Sequence, residues 1–151
     1  MADRARWFVP LLLLASACSD GMEGFWIGRI ECGGLPYDWE WTLEKDTAKS
    51  YLGSGEQTRE FTSVEGRSVS VIIDFDVTLD LDKASGAQTL DAEIVCTAEQ
   101  TVETPPGGGD PQIVAEGCTP LRFRDYQIDW DGADTIGILG ADGCEGDIVR
   151  R

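Results

Sequence analysis

The 151-residue chain contains no histidine and no asparagine, and only three lysines. Without histidine the commonest general base and metal ligand is missing, so the many serines and threonines have no imidazole to activate them as nucleophiles. Without asparagine there is no N-glycosylation acceptor. Positive charge is scarce as well: 12 basic residues face 28 acidic ones, a formal net charge of −16. A surface this acidic repels phosphate backbones and anionic headgroups, which argues against a nucleic-acid partner. No catalytic or cofactor motif stands out, so no cofactor is expected. Hydrolysis by two carboxylates is compatible with the composition, yet acidic residues are so abundant that no pair is singled out. The chain reads as non-catalytic.

Long apolar runs are also rare, and the one of note lies at the amino terminus. Arg4 and Arg6 precede "WFVPLLLLA", and "ASA" closes the segment with small residues, the pattern of an export signal over residues 1–17. The run is too short to span a bilayer as a mature helix. Cys18 follows directly, and "LASAC" resembles the lipobox of bacterial lipoproteins, with Ala15 where leucine is commonest. The resemblance implies lipidation of Cys18 and anchoring by buried hydrocarbon. Ser19 after it resembles sorting to the outer membrane of a Gram-negative bacterium. Cysteine arithmetic agrees, because five cysteines less Cys18 leave Cys32, Cys96, Cys118 and Cys144, an even set suited to an oxidising compartment. The organisation expected is a lipoprotein-type signal peptide over 1–17, a short tether over 18–23 and one domain over 24–151.

Within that domain the hydrophobic period is two and no stretch sustains 3.6, which predicts an all-β fold. Strands are expected near 24–32, 37–45, 49–55, 67–82, 88–99, 112–118, 121–130, 134–139 and 144–150. The turns between them carry Gly, Pro and Asp, as in "GGLP", "TPPGGGDP" and "WDGAD". A single antiparallel meander of eight or nine strands leaves two edges, and closure into a small barrel removes both. Cys96 and Cys118 lie symmetrically about the "TPPGGGDP" loop, and Cys32 and Cys144 end the first strand and begin the last. Of three possible connectivities, these positions favour Cys32 with Cys144 and Cys96 with Cys118.

The segment "GFWIG", Gly24–Gly28, resembles the Gly-x-Trp opening strand of calycin barrels, the group of lipocalins, fatty-acid-binding proteins and avidins. That resemblance implies a calycin-like barrel in which a basic residue of the last strand packs over Trp26, and "DIVRR" offers Arg150 and Arg151.

Three constellations bear on function. In "VIIDFDVTLDLD", residues 71–82, Ile73, Phe75, Val77, Leu79 and Leu81 share one face while Asp74, Asp76, Asp80 and Asp82 share the other. Carboxylates two apart on a strand stand about 6.6 Å from one another and repel in water by roughly 0.6 kcal/mol, so the acidic face is expected to be wet. Asp129, Asp131 and Asp134 surround Gly132 with the alternate spacing of calcium-loop ligands, but the set is incomplete, and a hairpin turn is the plainer reading. Tyr37, Trp39 and Trp41 share a strand face; with Trp26, Phe75 and Trp130 they are the candidate walls of a ligand pocket, or else ordinary filling for a small barrel. Two functions follow as expectations. One is an envelope lipoprotein binding a small apolar or aromatic ligand inside a barrel. The other is a surface or structural lipoprotein with a filled core, whose acidic exterior meets a basic protein partner or calcium.

Overall fold

The computed structural model of the chain describes residues 21–80, 89–118, 126–140 and 143–151. Among them there are nine strands and no helix: β1 (Gly24–Cys32), β2 (Leu35–Thr47), β3 (Ser50–Thr62), β4 (Ser68–Asp80), β5 (Thr89–Thr104), β6 (Gln112–Glu116), β7 (Tyr126–Trp130), β8 (Thr135–Gly140) and β9 (Cys144–Arg150). All pair antiparallel in one sheet. The ladder runs β4-β3-β2-β1-β9-β8-β7-β5, and β4 also pairs with β5, so eight strands close a ring. β6 stands outside that ring, bonded to the carboxy-terminal part of β5.

The lengths explain this arrangement. β5 is sixteen residues long; its first part pairs with β7 from Thr89 to Ala92, and its last part, from Gln100 to Glu103, pairs with β6 instead. One long strand thus serves two short partners. The β1–β2 hairpin turns on Gly33 and Gly34, with φ of 60° and 78°, between the register pair Cys32 and Leu35. A two-residue turn of this kind needs positive φ at both central positions, which glycine adopts without a Cβ clash.

Several strands outrun their expected limits. β2 continues from 45 to Thr47, β3 from 55 to Thr62 and β5 from 99 to Thr104. β6 stops at Glu116 rather than 118. The described part of the seventh strand is Tyr126–Trp130; positions 121–125 of the expected strand, and 81 and 82 of the fourth, lie outside the described residues.

The alternation read from the sequence is the alternation observed. Ile73, Phe75, Val77 and Leu79 are buried, whereas Asp74 and Asp76 are exposed and Asp80 is half-buried. In β2 the same rhythm buries Tyr37, Trp39, Trp41 and Leu43 and exposes Asp38, Glu40 and Thr42. The interior so formed also takes in Trp26, Ile30, Ile128, Ile136, Tyr126 and Ile148. Each large side chain removed from water in this way contributes about 1.5–3 kcal/mol.

Both bridges have the expected partners. Cys32 and Cys144 face each other across β1 and β9, joining strands that lie 112 residues apart in sequence. Cys96 and Cys118 close the β5–β6 hairpin with their Cα atoms 5.9 Å apart.

Candidate functional site

Of the candidate pocket walls, Trp39, Trp41 and Phe75 converge inside the ring and meet each other there. Trp39 lies with its ring centroid 5.7 Å from Trp41, 5.5 Å from Phe75 and 5.8 Å from Tyr126. Trp41 meets Phe75 edge-on at 6.3 Å. These are ordinary aromatic packing distances, and none of the four side chains is more than 1% exposed. Tyr37 closes one end of the cluster, with the Arg59 guanidinium 5.8 Å above its ring and 4.5 Å above that of Phe61. Trp130 packs against the cluster from the edge, partly buried, and its indole donates to the Ala133 carbonyl at 3.2 Å. The indole N–H groups of Trp39 and Trp41 are buried and meet no hydrogen-bond acceptor among the described residues.

Room for these rings comes from small residues on the neighbouring strand, a feature that sequence reading missed. Gly53 and Gly55 of β3 stand in register with Leu43 and Trp41 on one side and with Val77 and Phe75 on the other. A Cβ at Gly55 would lie 2.6 Å from Cε2 of Phe75. The signal was present as glycine at alternate positions in "YLGSGEQ", but glycine carries no hydrophobic mark by which a strand is recognised.

Trp26 belongs to the same buried cluster, in register with Trp41, on the side where the two ends of the domain meet. Its indole donates to the Met22 carbonyl at 2.9 Å. Arg150 of β9, its register partner, holds Cζ 4.7 Å from the ring centroid. The same guanidinium donates through Nη2 to the carbonyls of Gly21 and Ala133, and its Nε lies 3.4 Å from the Asp134 carboxylate. Arg151 lies beyond the strand and donates its backbone N–H to the Phe25 carbonyl at 2.9 Å.

The three aspartates of "DWDGAD" do separate work. Asp129 is exposed on β7. Oδ1 of Asp131 accepts from the backbone N–H groups of Ala133, at 2.8 Å, and Thr135, at 3.1 Å. These bonds, that from Ala133 foremost, hold the Asp131 carboxyl below its usual range. Asp134 is turned to Arg150. The geometry is that of a turn around Gly132, whose φ is 83°. Among the described residues no group of three His, Cys, Asp or Glu side chains is placed to share a metal ion. Cys18 lies outside the described residues.

On the outer surface, carboxylates line up across strands as well as along them. Glu40 stands opposite Glu56, and Glu56 opposite Asp74, so three acidic side chains form a row across β2, β3 and β4. Directly opposed like charges are destabilising. No salt bridge among the described residues reaches any of the three; Glu56 accepts a hydroxyl bond from Thr58 at 2.8 Å. A single strand's alternation shows which residues face out, but the row exists only through the register between strands, so the sequence did not disclose it.

A search of family models, curated proteins and solved structures finds nothing that matches the chain.

Proposed function

We propose that the chain is an exported, non-catalytic envelope lipoprotein, anchored through Cys18, whose ring of strands is a calycin-like barrel with a filled interior and whose acidic exterior binds a basic partner. The observation that carries this reading is the mutual packing of Trp39, Trp41, Phe75 and Tyr126: side chains in contact with one another fill the space a ligand would need, and recognition then falls to the outer face. The uncompensated row Glu40, Glu56 and Asp74 supports it, because a cationic partner relieves repulsion that the fold itself tolerates. The stacking of Arg150 on Trp26 supports the calycin-like assignment, and the two bridges support an oxidising compartment.

The test has two arms. Mass spectrometry of the protein recovered from membranes is expected to show a diacylglycerol-type mass on Cys18. Titration with oligolysine is expected to show binding that weakens steeply as salt rises. An unmodified amino terminus removes the anchor from the proposal, and failure of oligolysine to bind at low salt removes the basic partner.

A second reading, a small ligand held inside the ring, is favoured by one observation, the unpartnered indole donors of Trp39 and Trp41. Buried donors without acceptors are rare, and a ligand carrying an acceptor would satisfy them. Native mass spectrometry of the protein as isolated separates the two readings: a co-purifying small molecule favours the second, and the bare polypeptide mass favours the first.

A further inference from the structure

The outer face of β7, β8, β9 and β1 carries a groove of about 680 Å³, and we infer that it docks an extended basic segment of a partner protein, taking a lysine or arginine side chain over Gly137. This rests on the acidic-exterior reading above and assigns the place where the partner binds.

The groove exists because the register puts a residue without a side chain between two acidic ones. Gly137 pairs with Asp147 of β9 on one side and Asp129 of β7 on the other, two strand spacings that set their backbones about 9.6 Å apart. The Asp147 carboxylate leans toward the gap: a Cβ placed on Gly137 would lie 3.4 Å from Asp147 Oδ1 and 3.7 Å from Asp129 Cβ. A cationic side chain laid over Gly137 therefore reaches a carboxylate on each side. Arg29, the next residue in that row, does not fill the position, since its guanidinium is held 2.9 Å from Asp38 in the opposite direction.

The neighbouring row supplies the second half of the recognition. Leu139 is 53% exposed and stands between Gln127 and Glu145, with Glu31 beyond. Gly137 and Leu139 are two residues apart on β8, about 6.6 Å along the strand. That interval is also the spacing of same-face side chains in an extended peptide. The complementary ligand is thus a segment with a basic residue and, two positions along, an apolar one, its charge matched to Asp129 and Asp147 and its apolar side chain to Leu139. Charge complementarity of this sort steers association and fixes register.

The intact chain is titrated with a blocked peptide containing repeated Lys-Ser-Leu, and the contact is mapped by amide chemical shifts. Gly137→Val fills the gap without disturbing the strand, because Gly137 has no positive φ and its Cβ meets only contacts of 3.4 Å or more. It is expected to weaken peptide binding by about tenfold, the cost of one lost charge-assisted contact. A control double variant, Glu60→Gln with Glu116→Gln, removes two negative charges from exposed positions outside both the groove and the row through Glu56 and is expected to leave binding within about twofold. Shift changes are expected on β7, β8 and β9. Equal loss in both variants, or shifts centred elsewhere while binding persists, overturns the groove assignment and leaves the acidic-exterior reading standing. Absence of binding by the unaltered chain at low salt overturns both.

Discussion

The guanidinium carbon of Arg150 stands 4.7 Å from the ring centroid of Trp26, so a charged side chain of the last strand covers an indole of the first. That side chain is 15% exposed, and its donors reach carbonyls on both sides of the closure, those of Gly21 and Ala133. Removal exposes the indole face, takes the guanidinium donor from the Gly21 carbonyl and leaves the Ala133 carbonyl with the Trp130 indole alone. Arg150→Ala is expected to cost about 2–4 kcal/mol, combining a cation–π contact with charge-assisted bonds. Arg150→Lys keeps the charge but not the planar fork, so its loss falls between the two. Urea midpoints for the three proteins check the order.

The two disulfides stabilise to different extents because they close loops of different size. Chain-entropy arithmetic gives about 4.8 kcal/mol for the 112-residue separation of Cys32 and Cys144 and about 3.4 kcal/mol for the 22-residue separation of Cys96 and Cys118. The first bridge also joins β1 to β9, a seam of the ring, whereas the second ties down β6, which lies outside it. Replacing Cys32 and Cys144 together by Ala is therefore expected to lower the urea midpoint more than replacing Cys96 and Cys118. The reverse order would mean that the β5–β6 hairpin contributes more to stability than its position outside the ring implies.

Asp131 confers a pH dependence of defined sign. Its carboxylate accepts the Ala133 and Thr135 N–H groups, which lowers the folded-state pKa below that of the unfolded chain. The ionised form thus stabilises the fold at pH values above the unfolded pKa, and the contribution fades as pH falls through the folded value. Asp131→Ala is expected to be less stable than the unaltered chain at neutral pH, with the gap narrowing below about pH 4, where an aspartate of the unfolded chain begins to protonate. Paired urea titrations at neutral and low pH measure it. A gap that stays constant would show that the charge on Asp131 is irrelevant to the turn.

The row of Glu40, Glu56 and Asp74 gives a prediction in the stabilising direction. Glu56 is the middle member and opposes a carboxylate on each side. Glu56→Gln removes two repulsions while keeping Oε1 for the Thr58 hydroxyl bond. A gain of about 0.5 kcal/mol is expected at low salt, shrinking as ionic strength rises. Thermal melts of the two proteins at low and high salt suffice. A variant no more stable than the unaltered chain at low salt would remove the repulsion from the account.

What could be read from the sequence was whatever one strand expresses alone. Phe75 between Asp74 and Asp76 fixes an inward and an outward face by period two, and the structure keeps both. The cysteine pairs were legible because each sits at a strand end or symmetric about a loop, so topology left little choice. Strand limits were less legible where alternation lost its hydrophobic marks: Gln57 is buried in β3 and Glu99 in β5, polar residues at inward positions that disguise the rhythm. The groove over Gly137 and the row through Glu56 were not legible at all. Both depend on which residues of three strands share a register, and register is set by turns and packing across the whole sheet.

The glycines of β3 show how far that register constrains a single position. Gly55 faces inward between Trp41 and Phe75, and a Cβ there would fall 2.6 Å from the Phe75 ring. Close-packed interiors resist added volume, so Gly55→Val is expected to destabilise by about 1–3 kcal/mol even though valine is the better strand former. If the cause is the collision with the ring, shortening Phe75 to Leu in the same protein should recover part of the loss, although Phe75→Leu alone is destabilising. The double-variant cycle isolates that coupling, and a coupling of zero would mean that the backbone of β2, whose Glu40 carbonyl also crowds the site, and not the aromatic cluster, is what requires glycine there.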